Sequence, residues 1–219
     1  MEKTGSINMD KDRWFATCDD FSLCRMGGNG PINVSQLMPI VQYVKDGDSF
    51  LDVGCGSGTT LDALNAVNKK VLYKGTDIIE HRIEWLKNTY DREFEVQDAR
   101  HLQEDDKSWD IVWSRHVVDH LSSFEEAMDE HCRVAKKMVI CILWMELMDI
   151  EEHHIKPIVD QGVEYKDEWT NQYSRDLVKG YLADKCESGW KLREFLEKVT
   201  WDGSVDGKGR DTIIVLERI

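Results

Sequence analysis

Short apolar runs alternate along the chain with segments in which apolar residues recur every three or four positions. The runs are typical of buried strands, and the longer spacing is typical of amphipathic helices. The strands are predicted at 49–53, 70–76, 93–97, 109–114 and 137–144, and the helices at 34–44, 61–67, 80–90 and 122–136. Such an alternation predicts an α/β fold with a doubly wound, mostly parallel sheet.

The pattern loosens after residue 145. Residues 173–185 return to a helical period, and 190–201 and 212–218 are interpreted as two strands joined by a glycine-rich turn. The first of these strands is ambiguous, because its apolar positions also fit a helix. Without repeats or long linkers, residues 1–219 are predicted to form a single domain. It is divided into a helical preface (1–46), a ligand-binding core (47–145), an acidic insertion over the strand ends (146–172) and a C-terminal helix with a β-hairpin (173–219).

Composition narrows the class of protein. Hydrophobic residues make up 41% of the chain, with eight Trp, six Tyr and six Phe, which is enough for one sizeable core and is unlike a disordered chain. Twenty-eight basic against 42 acidic residues give a net charge of -14, which argues against a nucleic-acid partner. No apolar stretch approaches the roughly 20 residues of a membrane span. With six cysteines that form no C-x-x-C pair and no apolar leader, the sequence predicts a cytoplasmic protein.

The most informative segment combines a buried strand with three glycines at alternate positions. Gly54, Gly56 and Gly58 follow Asp52 and lead into a helix. Glycines allow a tight turn and let a ligand approach the backbone, and a helix N-terminus offers unpaired N–H groups. A merely tight turn would rarely need all three, so we predict a ligand site here.

Acidic residues follow the next two predicted strands. Asp77 closes the second strand, where a carboxylate can accept hydrogen bonds from both hydroxyls of a ribose. Asp98, followed by Ala99, closes the third and could accept one from an adenine amino group. Because ligands of such sheets bind at the carboxyl ends of the strands, these groups are predicted to meet.

These segments resemble, in order, the motifs of class I S-adenosylmethionine-dependent methyltransferases. Leu51–Leu61 (LDVGCGSGTTL) is similar to the family's glycine-rich first motif, and the fourth-strand motif is matched by 109–121 (WDIVWSRHVVDHL). The resemblance implies a Rossmann-like sheet of seven strands in the order 3-2-1-4-5-7-6, with strand 7 antiparallel, and S-adenosyl-L-methionine as cofactor. It also implies a set of cofactor-binding residues: Asp52, Gly54, Cys55, Gly56, Gly58, Asp77, Ile78, Asp98, Ala99, Ser114 and Arg115.

A dinucleotide-binding dehydrogenase is the alternative for the glycines. Its G-x-G-x-x-G fingerprint requires a glycine where this chain has Thr59, so the methyltransferase interpretation is preferred.

Catalytic candidates lie just beyond the fourth strand. A sulfonium methyl group is already electrophilic, so a base is needed only when the acceptor must lose a proton. His116 and His120 are four residues apart and would share a face of a helical turn, with His116 nearer the strand end. His120 can equally be a packing residue. Histidine clusters at 116–132 and 151–154 lack a second pair of ligands at metal spacing, so no metal is predicted.

The acids of 146–172 suit a cationic or neutral small-molecule substrate. Tyr165, Trp169, Asn171 and Tyr173 could line the substrate entrance, and each could equally be a packing residue. Arg25 of the preface could pair with the methionyl carboxylate of the cofactor, or it could be a surface residue. Three alternatives stay open: a methyltransferase for protein or RNA, a non-catalytic cofactor-binding partner subunit, and an aminopropyltransferase on a related fold. The sequence fixes neither the acceptor atom nor the oligomeric state.

Overall fold

The computed structural model describes residues 34–121, 123–144, 146–149, 158–160, 163–165, 171–199 and 211–219. The helices are α1 (Val34–Tyr43), α2 (Thr59–Ala66), α3 (Glu80–Thr89), a 3₁₀ turn (Val118–His120), α4 (Phe124–Val134) and α5 (Arg175–Glu187). The strands are β1 (Ser49–Val53), β2 (Leu72–Asp77), β3 (Glu93–Val96), β4 (Trp109–Arg115), β5 (Ala135–Leu143), β6 (Ile158–Asp160), β7 (Val163–Tyr165), β8 (Trp190–Val199) and β9 (Asp211–Arg218). Among these residues, no helix is both long and apolar enough to cross a bilayer.

Seven strands form one sheet in the order β3-β2-β1-β4-β5-β9-β8. The first five are parallel, whereas β9 runs antiparallel to β5 and to β8. Since β9 is the seventh and β8 the sixth strand of this sheet along the chain, the predicted order and the antiparallel seventh strand are confirmed. Strands β6 and β7 form a separate antiparallel pair.

Helices cover both faces of the sheet. Leu51 and Val53 of β1 belong to one apolar cluster, and Phe50, which points to the opposite face, belongs to the other. Buried side chains of α4 and α5 pack in the first cluster, and those of α1, α2 and α3 pack in the second. The sheet is therefore the middle layer of three. Because helices cover both of its faces, a ligand can reach the sheet only at the ends of its strands.

The ambiguous segment after residue 189 is a strand. The pairing of β8 with β9 shifts register between Leu192 and Glu194 and again between Leu196 and Val199. Each shift inserts an extra residue, which moves the following side chains to the other face. These irregularities produce the apolar spacing of three to four residues that also fits a helix.

Parts of the predicted preface and insertion lie outside the described residues. Of the preface, α1 is described, and its Ile40 is buried in the core. Arg25 and Trp169 lie outside the described residues, and of 146–172 the structure describes 146–149, β6, β7, Asn171 and Gln172. The division into a helical preface and an acidic insertion over the strand ends therefore stays a prediction.

Candidate functional site

A cleft opens at the carboxyl ends of the parallel strands. With the space at its mouth it measures about 650 Å³, a volume usual for small-molecule sites. Its wall combines the loop after β1, the ends of β2 and β3 and the segment after β4. The lining residues are Gly54, Gly56, Asp77, Ile78, Arg82, Gln97, Asp98, Ala99, Arg115, His116, Val117, His120 and Leu121.

The glycine loop adopts a backbone that side chains disfavour. Gly54, Gly56 and Gly58 have φ values of 70°, 56° and 81°. At Gly54, a Cβ atom would lie 2.3 Å from Cγ2 of Val117, closer than any real contact. Gly58 precedes α2 and donates from its N–H to the Cys55 carbonyl at 2.9 Å. The glycines thus permit both the turn and the close approach of the segment after β4.

Asp77 ties the glycine loop to the end of β2. Its Oδ2 accepts a hydrogen bond from the Gly56 N–H at 2.9 Å, and its Oδ1 accepts one from the Ile79 N–H at 3.0 Å. Arg82 of α3 is buried in the same wall, with Nη1 3.7 Å from Oδ2 of Asp77. A carboxylate oxygen has two acceptor sites, so Asp77 can bind hydroxyl groups from the cleft as well.

Asp98 is held by a neighbouring arginine. Arg100 donates to both carboxylate oxygens, at 3.0 and 2.8 Å, and its backbone N–H adds a third bond. Burial opposes ionisation of Asp98, but the Arg100 hydrogen bonds outweigh it and hold its pKa below the usual value. The carboxylate is therefore fixed in its charged form at the cleft wall.

Asp52 lies behind the wall and is fully buried. The Tyr73 hydroxyl donates to its Oδ2 at 2.7 Å. Burial raises the pKa of Asp52 to about 7, against the lowering effects of hydrogen bonds from Tyr73 and Thr60 and of the Arg115 charge. Arg115 lines the cleft and donates to Oγ1 of Thr59 at 2.9 Å, so it joins the cleft wall to the N-terminus of α2.

His116 and His120 both line the cleft, but they do not share a helical turn. The 3₁₀ turn begins only at Val118, and His116 has a left-handed backbone with φ 56°. Its Nε2 lies 3.2 Å from Oδ1 of Asp211 at the start of β9. Burial lowers the pKa of His116, with a further lowering by the Arg115 charge, while Asp211 acts in the opposite direction. The rings of both histidines lie near Trp144, at centroid distances of 6.5 and 6.1 Å.

The structure brings most of the predicted site residues to one cleft. Nine line it, and four lie behind it or beside the turn: Asp52, Cys55, Gly58 and Ser114. Sequence reasoning missed Arg82 and the contact of Asp211 with His116. Val117 and Leu121 belong to the fourth-strand motif but were given no role, and Gln97, which precedes Asp98, was given none either. One signal could have indicated Arg82. It is a basic residue in the first turn of the helix that follows Asp77, the acidic residue at the end of a strand.

Two residues predicted for the substrate entrance are packing residues instead. Asn171 and Tyr173 are buried, and the Tyr173 hydroxyl donates to the Val118 carbonyl at 2.8 Å. The Asn171 N–H donates to the Asp119 carbonyl at 2.7 Å, and the side chain of Asn171 donates to the Leu121 carbonyl. Both hold the segment that carries His116 and His120 against the body of the domain.

Within the described ranges, no group of three or more His, Cys, Asp or Glu side chains is placed to hold a metal ion. His131 is buried in α4 and belongs to no such group, and 151–154 lie outside those ranges.

Comparison with known proteins finds a family model that matches the core and solved structures that share the fold. Residues 51–143 match the family model described as a methyltransferase domain. Among curated protein sequences, the comparison finds no significant match.

Solved structures share the architecture at low sequence identity. A protein from a complex of the Haloferax volcanii Trm112 methyltransferase activator has a TM-score of 0.69 at 18% identity, covering 94% of this chain and 96% of its own. An S-adenosylmethionine-dependent methyltransferase from Methanosarcina mazei has a TM-score of 0.62 at 16% identity, covering 82% and 96%. One from Aquifex aeolicus has a TM-score of 0.56 at 19% identity, covering 92% and 95%.

Proposed function

We propose that this chain, of which residues 51–143 match a methyltransferase domain model, is a class I S-adenosylmethionine-dependent methyltransferase that transfers a methyl group to a small-molecule acceptor bound in this cleft. One observation carries the proposal. The glycine loop, the carboxylates of Asp77 and Asp98 and the imidazole of His116 come from four successive strand ends and face one cleft.

The cleft suits S-adenosylmethionine. Gly54 and Gly56 line the cleft and have no side chain, so a ligand can approach the backbone of the loop at these two positions. Gly54 and Gly56 would approach the methionine part, Asp77 would hold the ribose hydroxyls, and Asp98 with Ala99 would hold the adenine. When bound, the cofactor supplies an electrophilic methyl group on a positively charged sulfur. The protein then has mainly to hold the acceptor atom in line with that methyl group.

The segments after β4 and β5 supply the groups that would face the acceptor. His116 has a lowered pKa, so it is neutral at pH 7 and able to accept a proton. Val117 and Leu121 give this part of the wall apolar character, which limits water near the transferred group. Trp144 lies beside both histidines with 42% of its surface exposed, and it offers an aromatic face to a ligand.

Charge and size favour a small acceptor over a nucleic acid. The chain has a net charge of -14, and the cleft lining has no excess of basic groups, because its two carboxylates, Asp77 and Asp98, balance its two arginines, Arg82 and Arg115. A polyanion would be repelled by this surface, whereas a neutral or cationic molecule would not.

Calorimetric titration of S-adenosylmethionine and S-adenosylhomocysteine tests the cofactor site. We expect micromolar binding to the wild type and at least a tenfold loss, about 1.4 kcal/mol, in Asp77→Ala. Asp91→Ala, which changes a carboxylate in the turn between α3 and β3, is the matched control and should bind normally. Absence of binding to folded wild-type protein would overturn the proposal.

Formation of S-adenosylhomocysteine tests the acceptor. Pools of small metabolites, of protein and of RNA are offered separately with S-adenosylmethionine. Turnover with the first pool alone supports the proposal, and turnover only with protein or RNA contradicts it.

A second candidate function is a cofactor-binding subunit that needs a partner protein. The Haloferax volcanii match, which covers 94% of this chain, comes from a complex with an activator and favours this alternative. Cofactor binding without turnover on all three pools would support it.

A further inference from the structure

His116 occupies a backbone conformation that has a cost. Its φ of 56° lies in the left-handed region, which is uncommon for residues other than glycine. The His116 N–H donates to the Ile142 carbonyl of β5 at 2.8 Å, which fixes the residue at the strand end. Residues in such conformations cluster at functional sites, where the surrounding structure holds them. Here the conformation directs the side chain to the cleft wall and to Asp211.

Asp211 is brought to this point by the antiparallel strand. It is the first residue of β9, and because β9 runs against β5, its start lies at the carboxyl ends of the parallel strands. The residue is 0% exposed, and its Oδ1 lies 3.2 Å from Nε2 of His116. Burial of a carboxylate to this degree is unfavourable in free energy unless the carboxylate is paired. The position of Asp211 beside the His116 imidazole therefore indicates a role for the pair.

We propose that Asp211 is a positioning residue that makes His116 the proton acceptor for an acceptor hydroxyl group. This inference rests on the proposed function. An ionised carboxylate only accepts hydrogen bonds, so Nε2 of His116 carries the proton of this contact and Nδ1 carries the lone pair. The pairing therefore fixes both the tautomer and the orientation of the ring, as a carboxylate does for the histidine of a catalytic triad.

The arrangement selects among acceptor atoms. A thiolate or a carboxylate needs no base, and a neutral amine can lose its proton after methylation, but a hydroxyl must lose its proton as the new bond forms. In the transfer, the S–CH₃ bond breaks with both electrons left on sulfur, and an O–CH₃ bond forms. The hydroxyl proton passes to Nδ1 of His116, and the resulting imidazolium is balanced by the Asp211 carboxylate.

Other charged groups around His116 act on its titration. Arg115, its neighbour on β4, opposes a positive charge on the ring, and Asp211 on β9 favours one. From the 3₁₀ turn, His120 lines the same wall, and Trp144 after β5 contributes an uncharged ring. Removal of Asp211 is therefore expected to lower the pKa of His116.

Nuclear magnetic resonance of the histidine rings tests the pairing without any acceptor. The full chain is labelled with ¹⁵N in its seven histidines, and His116→Gln identifies the His116 signals. In the wild type at pH 7.5 we expect a neutral ring protonated at Nε2. In Asp211→Asn, which keeps the size of the side chain, we expect a changed tautomer and a lower pKa of His116.

Two results would overturn the pairing: a wild-type ring protonated at Nδ1, or a tautomer and pKa that are the same in Asp211→Asn. The first result is read from the wild-type spectrum alone, so it does not depend on whether Asp211→Asn folds. Thermal unfolding of Asp211→Asn shows whether the variant is folded. S-adenosylhomocysteine binding should change less than about threefold in Asp211→Asn, because Asp211 does not line the cleft. Loss of cofactor binding by the wild type would instead refute the proposed function and leave the ring measurement intact.

Kinetics with the acceptor found in the metabolite screen test the hydroxyl. We expect Asp211→Asn to lower kcat by at least about tenfold, with an unchanged KM for S-adenosylmethionine. An unchanged kcat, or an acceptor that is methylated on nitrogen or sulfur, would contradict the inference.

Discussion

Substitution of Gly54 by alanine tests how closely the glycine loop and the segment after β4 are packed. The new Cβ atom would lie 2.3 Å from Cγ2 and 3.0 Å from Cγ1 of Val117, so one of the two segments must move. The φ of 70° adds a backbone cost that any side chain pays. The left-handed conformation costs about 1–2 kcal/mol, and the overpacking costs about 1–3 kcal/mol. Together they predict a loss of roughly 2–5 kcal/mol in the free energy of unfolding.

Two further variants separate these costs. Gly47→Ala serves as the matched control, because Gly47 has a φ of 88° but no heavy atom within 4 Å of the added Cβ. It should lose only the backbone cost of about 1–2 kcal/mol. Val117→Ala removes the two methyl groups that the Gly54 side chain would meet, so it should relieve the collision in the double variant.

Urea unfolding of the wild type, the three single variants and the two double variants with Val117→Ala measures the coupling. We expect Gly54→Ala and Val117→Ala to couple favourably by about 1–3 kcal/mol, and Gly47→Ala and Val117→Ala not to couple. A Gly54→Ala variant that loses no more stability than Gly47→Ala would refute the packing argument. So would a coupling below about 0.5 kcal/mol, which is the usual limit of additivity.

Two buried groups predict how stability depends on pH. His131 is fully buried, and burial lowers its pKa from 6.5 to about 4, so protonation favours the unfolded chain as the pH falls below 6.5. Relative to His131→Leu, the wild type should lose about 3 kcal/mol between pH 6.5 and 4 in urea unfolding, and a constant difference would contradict this. Tyr73→Phe removes the hydroxyl that donates to Asp52, so it should cost about 2 kcal/mol at pH 8.5, where Asp52 is ionised. At pH 5, where Asp52 is protonated, the loss should be smaller, and equal losses at the two pH values would show that the bond does not depend on the charge.

Local signals in the sequence were enough for a mostly parallel sheet and for much of the cleft wall, whereas the strand order was implied by the resemblance to methyltransferases. The glycines at 54, 56 and 58 lie in the loop that follows β1, Asp77 is the last residue of β2, and Asp98 lies two residues after β3. Parallel strands end at the same edge of the sheet. These groups therefore lie close together when the strand order makes those strands neighbours. For this reason, signals found separately at the end of each strand could predict a common ligand site.

Patterns that depend on irregular pairing were less informative. The apolar residues of β8 repeat at three to four positions because two register shifts interrupt its alternation, so the sequence could not separate strand from helix. Pairing with β9 decided the matter, since backbone hydrogen bonds to a neighbouring strand outweigh a local preference. Similarly, the spacing of His116 and His120 predicted that they share a helical turn. In the structure His116 has a left-handed backbone, and the 3₁₀ turn begins only at Val118.

The sequence by itself determined the class of fold, the order of its elements and the strand ends that carry polar groups, because each of these is encoded by neighbouring residues. Only the tertiary structure decided which distant groups touch. Asp211 meets His116 across 95 positions of sequence, because an antiparallel strand returns to the edge where the parallel strands end. Arg82 likewise reaches Asp77 because α3 packs back on the sheet. Such contacts are set by the packing of whole elements, and no short stretch of the chain contains the information that specifies them.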